Sequence, residues 1–148
     1  MHGAEKQYSL ISDETSIKTR LDYDKGTDGV TGLCEDRSTA DHVLVLMARG
    51  LSTPWKQALG FYLIHGTVKG SVLANIIKQT IGKLNGIGLN VRCTVCDQGT
   101  TNITAMKLLG YTCESPFVHH PVTEKKIHVI FDVPHLAKNV RNYLRRHD

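Results

Sequence analysis

The chain has 148 residues, 41% hydrophobic and 22% charged, with a formal net charge of +4. That length suits one domain with its own core and is short for two, and the composition excludes an intrinsically disordered chain. Four cysteines are too few for a disulfide framework, and the longest apolar run, at 43–48, is far below the roughly 20 residues that cross a bilayer. The positive balance permits an anionic partner without requiring one. Residues 1–18 carry no apolar signal-peptide core, so an intracellular location is expected.

A first apolar patch, Tyr8 to Ile11, reads as a strand running into Asp13 and Glu14. Residues 22–41 hold three glycines and many acids, which predicts hairpin turns with one short strand near 29–33. The aliphatic, β-branched run 42–49 and the aromatic-rich run 55–65 read as strands, so the first half of the chain predicts an antiparallel meander. Its aromatics, Trp55, Phe61 and Tyr62, are expected in the core.

The periodicity then changes. Val72, Leu73, Ile76, Ile77, Ile81 and Leu84 recur at helical spacing, with Ser71 available as N-cap and Gly86 or Gly88 as stop. A strand at 90–97, a short helix at 100–110 and a strand at 126–133 follow. A last helix from Pro134 would align Leu136, Val140, Tyr143 and Leu144 on one face. The order β-β-β-α-β-α-β-α predicts an α/β domain, one mixed sheet with helices on its faces. Right-handed crossovers would bring the strand at 90–97 beside earlier strands.

The segment 91–110, VRCTVCDQGTTNITAMKLLG, opens with a cysteine pair at C-x-x-C spacing. A structural zinc site needs a second pair, and Cys34 and Cys113 are single. Residues three apart on a strand also face opposite sides, so Cys93 and Cys96 are read as buried packing residues rather than ligands. Asp97 follows where an apolar strand gives way to a turn and a helix. Active sites of open α/β sheets gather at such strand ends, and Asp residues there also serve as caps. Asp13 is expected at the matching end of the first strand. Two such carboxylates could share Mg²⁺, and paired ions clamp the attacking and leaving oxygens of phosphodiester chemistry. Asp132 also ends a strand and is weighed as a metal contact against a helix cap.

Three segments, SDETSIK (12–18), CDQGTTN (96–102) and FDVPHLAKNVRNYL (131–144), resemble in order the signature segments of P-element-type transposases, including their THAP-domain relatives. The resemblance spans about residues 8–146. It implies a ribonuclease H-like catalytic domain of a cut-and-paste DNA transposase, using Mg²⁺ or Mn²⁺ for phosphodiester hydrolysis and strand transfer, with transposon and target DNA as partners and the nucleus as location. Asp13 and Asp97 then match two of the family's three catalytic, metal-holding acids. The third, a glutamate on a later helix after a GTP-binding insertion, has no counterpart among residues 1–148. The chain is therefore expected to be one ribonuclease H-like domain, the N-terminal part of a transposase, without the insertion and the last catalytic helix. By itself it is expected to be inactive, with the family's GTP site elsewhere and an oligomer possible for the full protein. Lys138, Arg141, Arg145 and Arg146 on the last helix could meet DNA phosphates or form a solvated face. Two alternatives stay open: a catalytically inactive, transposon-derived domain that binds DNA or protein, and a generic α/β domain whose acids cap turns.

Overall fold

In the computed structural model, which describes residues 7–134 with 137, 138, 141, 142 and 145, six strands form one mixed sheet. Its members are β1 (Gln7–Ser16), β4 (His42–Gly50), β5 (Lys56–Ile64), β6 (Asn90–Cys96), β7 (Phe117–His119) and β8 (Lys126–Phe131), in the order β5-β4-β1-β6-β8-β7. β1, β4 and β5 are the expected antiparallel meander. β6 lies beside β1 and parallel to it, and β8 is parallel to β6. The α/β fold read from the sequence is the one observed. Between β1 and β4 the turn-rich segment forms a separate hairpin, β2 (Asp22–Asp24) with β3 (Gly29–Thr31).

The connection from β5 to β6 carries helix α1 (Gly70–Gly86), and that from β6 towards β8 carries α2 (Thr100–Leu108). The apolar stripe of α1 is the reason it forms where it does: Leu73, Ala74, Ile77, Ile81 and Leu84 are buried. They join Leu10, Leu44, Val91, Cys96, Ala105, Met106, Ile127 and Val129 in one core cluster. Burying side chains of the Leu and Ile class contributes roughly 1.5–3 kcal/mol each, so this stripe outweighs the helix's two internal glycine positions near its end. Ser71 is not the N-cap. Lys69 is, with extended backbone and no side-chain cap bond, so the helix starts two residues earlier than the hydroxyl suggested.

Three further differences from the sequence reading have plain causes. β7 sits in a stretch rich in Pro and His that gave no strand signal, and it forms because Phe117, Val118 and His119 pair with β8. β5 is an edge strand, which leaves Phe61 68% and Tyr62 39% exposed instead of in the core, and Trp55, just before it, is 40% exposed. Trp55 stacks edge-on against Tyr8 with ring centroids 5.1 Å apart. Of the last helix, Leu136, Val140, Tyr143, Leu144 and Arg146 lie outside the described residues; Pro134, Lys138, Arg141 and Arg145 are helical and exposed.

Candidate active site

The register of the central strands places the acidic residues. β1 and β6 pair in parallel from Gln7↔Asn90 to Ile11↔Val95 and then part. Asp13 and Asp97 each lie two residues beyond that last pair, so strand alternation turns both to the same sheet face as Ile11 and Val95. This is the face opposite the α1 and α2 layer, because the cluster holding both helices takes Leu10 and Cys96, of the other parity. The expectation that Asp13 ends the first strand is corrected in one respect. β1 continues to Ser16, paired with β4 through Asp13↔Val45 and Ser16↔His42. What ends before Asp13 is its parallel partner, and that ending opens the cleft.

The third chain segment comes in from β8. Cys96 pairs with Phe131, and the Asp132 backbone N–H donates to the Cys96 carbonyl at 2.8 Å. Asp132 therefore stands level with Asp97 and on the same face. Ile11, Ser12, Asp13, Val95, Cys96, Asp97 and Asp132 line a small cleft of about 90 Å³ at these strand ends.

Asp97 is held firmly. Its Oδ1 accepts from the Gly99 backbone N–H at 2.8 Å and from Asn102 Nδ2 at 2.5 Å. The carboxylate thus shapes the turn. It does not cap α2, whose N-cap is Gly99 with no side-chain cap bond. Gly99 is required for space and not for its backbone angle: its φ is −60°, yet a Cβ there would stand 2.9 Å from Asp97 Oδ1. Both bonds fall on Oδ1, so Oδ2 has no protein donor among the described residues and is available to a ligand. Asn102 and Gly99 went unnoticed as site residues in the sequence, although an Asp-x-Gly step before a helix is a recognisable side-chain-to-backbone turn.

The cysteines stay out of the chemistry. Cys93 and Cys96 are buried, as expected, and burial, with a smaller contribution from the Asp97 carboxylate, pushes the Cys96 thiol up to about 12. Burial also raises Cys93. Thiols held protonated are poor nucleophiles and poor metal ligands.

The donor set suits a hard cation: carboxylate oxygens at one cleft, with no soft ligand facing it. The Ser12 side chain, one residue before Asp13, is turned by the same alternation to the helix-side face and is buried. Among the described residues no three His, Cys, Asp or Glu side chains stand close enough to hold an ion between them. An ion here would take one or two carboxylates and complete its shell with water.

The chain is similar to known proteins. The family model described as "TNP-like, RNase H N-terminal domain" matches residues 1–110. This chain belongs to that family. The domain is 25% identical to the human DNA transposase THAP9, covering 90% of the chain and 16% of that protein. It is 32% identical to the Drosophila melanogaster P transposase of the transposable element, covering 95% of the chain and 17% of that protein. Among solved structures it matches the Drosophila P element transposase strand transfer complex with a TM-score of 0.77 and 32% identity, over 95% of this chain and 29% of that one. The domain is thus an RNase H-like, transposase-related unit that spans about a sixth of the length of the curated relatives it matches.

Proposed function

We propose that this domain supplies two of the metal-holding carboxylates of a P-element-type transposase, Asp13 and Asp97, for phosphodiester cleavage and DNA strand transfer in a longer protein. One observation carries the reading: the parallel pairing of β1 and β6 stops at Ile11↔Val95, two residues short of both aspartates, which turns them to one face at one cleft. Bound Mg²⁺ or Mn²⁺ would polarise the scissile phosphate and lower the pKa of an attacking water or 3′-hydroxyl. The chain's own part is to fix the carboxylates. Asn102 and the Gly99 N–H hold Asp97 Oδ1 and leave Oδ2 without a protein donor among the described residues, while the continuation of β1 along β4 fixes Asp13.

Because only two acids match the family's catalytic set, the domain alone is a weak cation binder and a poor nuclease. Transposon and target DNA, the nucleus and an oligomer belong to the same proposal for the complete protein. In a Mg²⁺ titration of the chain followed by amide NMR, shifts should cluster at residues 11–14, 95–99 and 132. D13N and D97N should each abolish them. Shifts confined to the exposed acids of the β2–β3 hairpin would overturn the assignment. A catalytically inactive, DNA- or protein-binding role has no specific observation in its favour.

A further inference from the structure

We propose that the cavity between β7 and the two helices binds a small apolar monocarboxylate, with His120 and Lys78 as its donors; this is independent of the acidic cleft. His120 extends the β7–β8 ladder past His119↔Lys126, its backbone N–H donating to the Lys125 carbonyl at 2.9 Å. It shares the parity of Val118, which belongs to the core cluster with α1 and α2, so alternation points the imidazole at the helix layer. There it lines a cavity of about 590 Å³ with Lys78 and Ile81 of α1 and Leu109 at the end of α2. Nδ1 accepts from the Val122 and Thr123 N–H groups at 3.1 and 3.2 Å, which assigns the proton of the neutral ring to Nε2. The residue is 4% exposed, and Nε2 has no hydrogen-bond partner among the described residues. A shielded donor without an acceptor is costly, and an oxygen that reaches it recovers that cost. One such donor in an otherwise apolar wall of Ile81, Leu109 and Val118 selects a ligand with one polar head and an apolar body. Lys78, exposed on the same cavity, makes a negative head the better fit, and the exposed Glu124 opposes a second negative charge. Those two side chains and Leu108, 61% exposed, face solvent and can swing aside to admit the ligand.

The test titrates the whole chain with hexanoate, hexanol and inorganic phosphate, followed by amide and imidazole-nitrogen NMR. Hexanoate should saturably shift the His120 Nε2–H resonance and the amides of residues 78, 81, 108–109 and 118–121. Hexanol should bind at least about 10-fold more weakly, and phosphate not at all. His120→Asn places an amide oxygen where Nδ1 accepts, so the turn keeps its acceptor while the Nε2 donor is lost. Hexanoate binding should then weaken by about 10-fold, the value of one hydrogen bond to a charged group. Lys78→Met, at an exposed position of α1, should weaken it by about 2- to 5-fold and leave the rest of the amide spectrum unchanged. Equal binding of hexanol, or undiminished hexanoate binding in His120→Asn, would overturn the proposal. So would shifts that never saturate while the Nε2–H exchanges with water, which would make the partner of His120 a water only. Should His120→Asn unfold, the preference for hexanoate over hexanol and the Lys78→Met result decide the matter.

Discussion

Gly99→Ala tests whether the turn after β6 exists to place a carboxylate. The backbone there, φ −60° and ψ 148°, is one alanine adopts freely. Taken alone, the substitution should stabilise the protein by about 0.4–1 kcal/mol, by restricting the unfolded chain. The new methyl, however, would stand 2.9 Å from Asp97 Oδ1 and 3.7 Å from its Cγ. A short side chain cannot yield that much and keep both its bonds, the 2.8 Å contact with Gly99 N–H and the 2.5 Å contact with Asn102 Nδ2. Hydrogen bonds to a charged group are worth about 1.5–3 kcal/mol each, and the half-exposed position of Asp97 puts these at the low end. Loss of one, set against the alanine gain, leaves a net destabilisation of about 0.5–2 kcal/mol. Urea denaturation should show a lower midpoint at an unchanged slope, and divalent-cation shifts at residues 95–99 should shrink. An alanine variant as stable as wild type, with the same cation response, would refute the claim that Gly99 is there to make room for the carboxylate.

Other outcomes follow from the packing and the titratable groups. A Cβ at Gly70 would stand 2.6 Å from Thr104 Cγ2 and 2.7 Å from Thr104 Cβ, so Gly70→Ala should cost about 1–3 kcal/mol in thermal or chemical denaturation by forcing α1 and α2 apart; a neutral result would mean the helices slide without penalty. The imidazole of His120 accepts from the backbone N–H groups of Val122 and Thr123 through Nδ1, at 3.1 and 3.2 Å, and burial, aided by the nearby Lys125, holds it below its ordinary value. A depressed histidine stabilises the neutral form, so its contribution is full above the unfolded value near 6.5 and is lost as pH falls from there through the lowered folded value. Denaturation midpoints should drop as pH falls below about 6.5, and His120→Gln should flatten that slope; a slope unchanged in the variant would assign it to other groups. With a maleimide at pH 7.5 the exposed Cys113 should label first, and Cys93 and Cys96 only on unfolding. Rapid labelling of Cys96 in the native chain would contradict its burial.

The regular elements were legible because their signals are local. The apolar stripe of α1 and the aliphatic runs of β4 and β6 state their own periods, and the change from period two to helical spacing gives the α/β order. The family segments single out Asp13 and Asp97, and both line one cleft at the strand ends. What could not be read is non-local. β7 owes its existence to pairing with β8, and the exposure of Phe61 and Tyr62 follows from β5 lying at the sheet's edge, which no window of sequence reports. The meeting of Asp132 with the other two acids depends on the β6–β8 register, and the duties of Gly99 and Asn102 depend on where one carboxylate oxygen points.

The parallel pairing of β1 with β6 ends at Ile11↔Val95, residues that stand 84 positions apart, across the rest of the meander, the hairpin and α1. Closing so long a loop is entropically costly and slow compared with forming β4–β5 or α1. The acidic cleft therefore comes into being among the last features of the folding chain, and β6 must have been synthesised before it exists at all. Partly made or partly folded copies carry the acids without the cleft that gathers them.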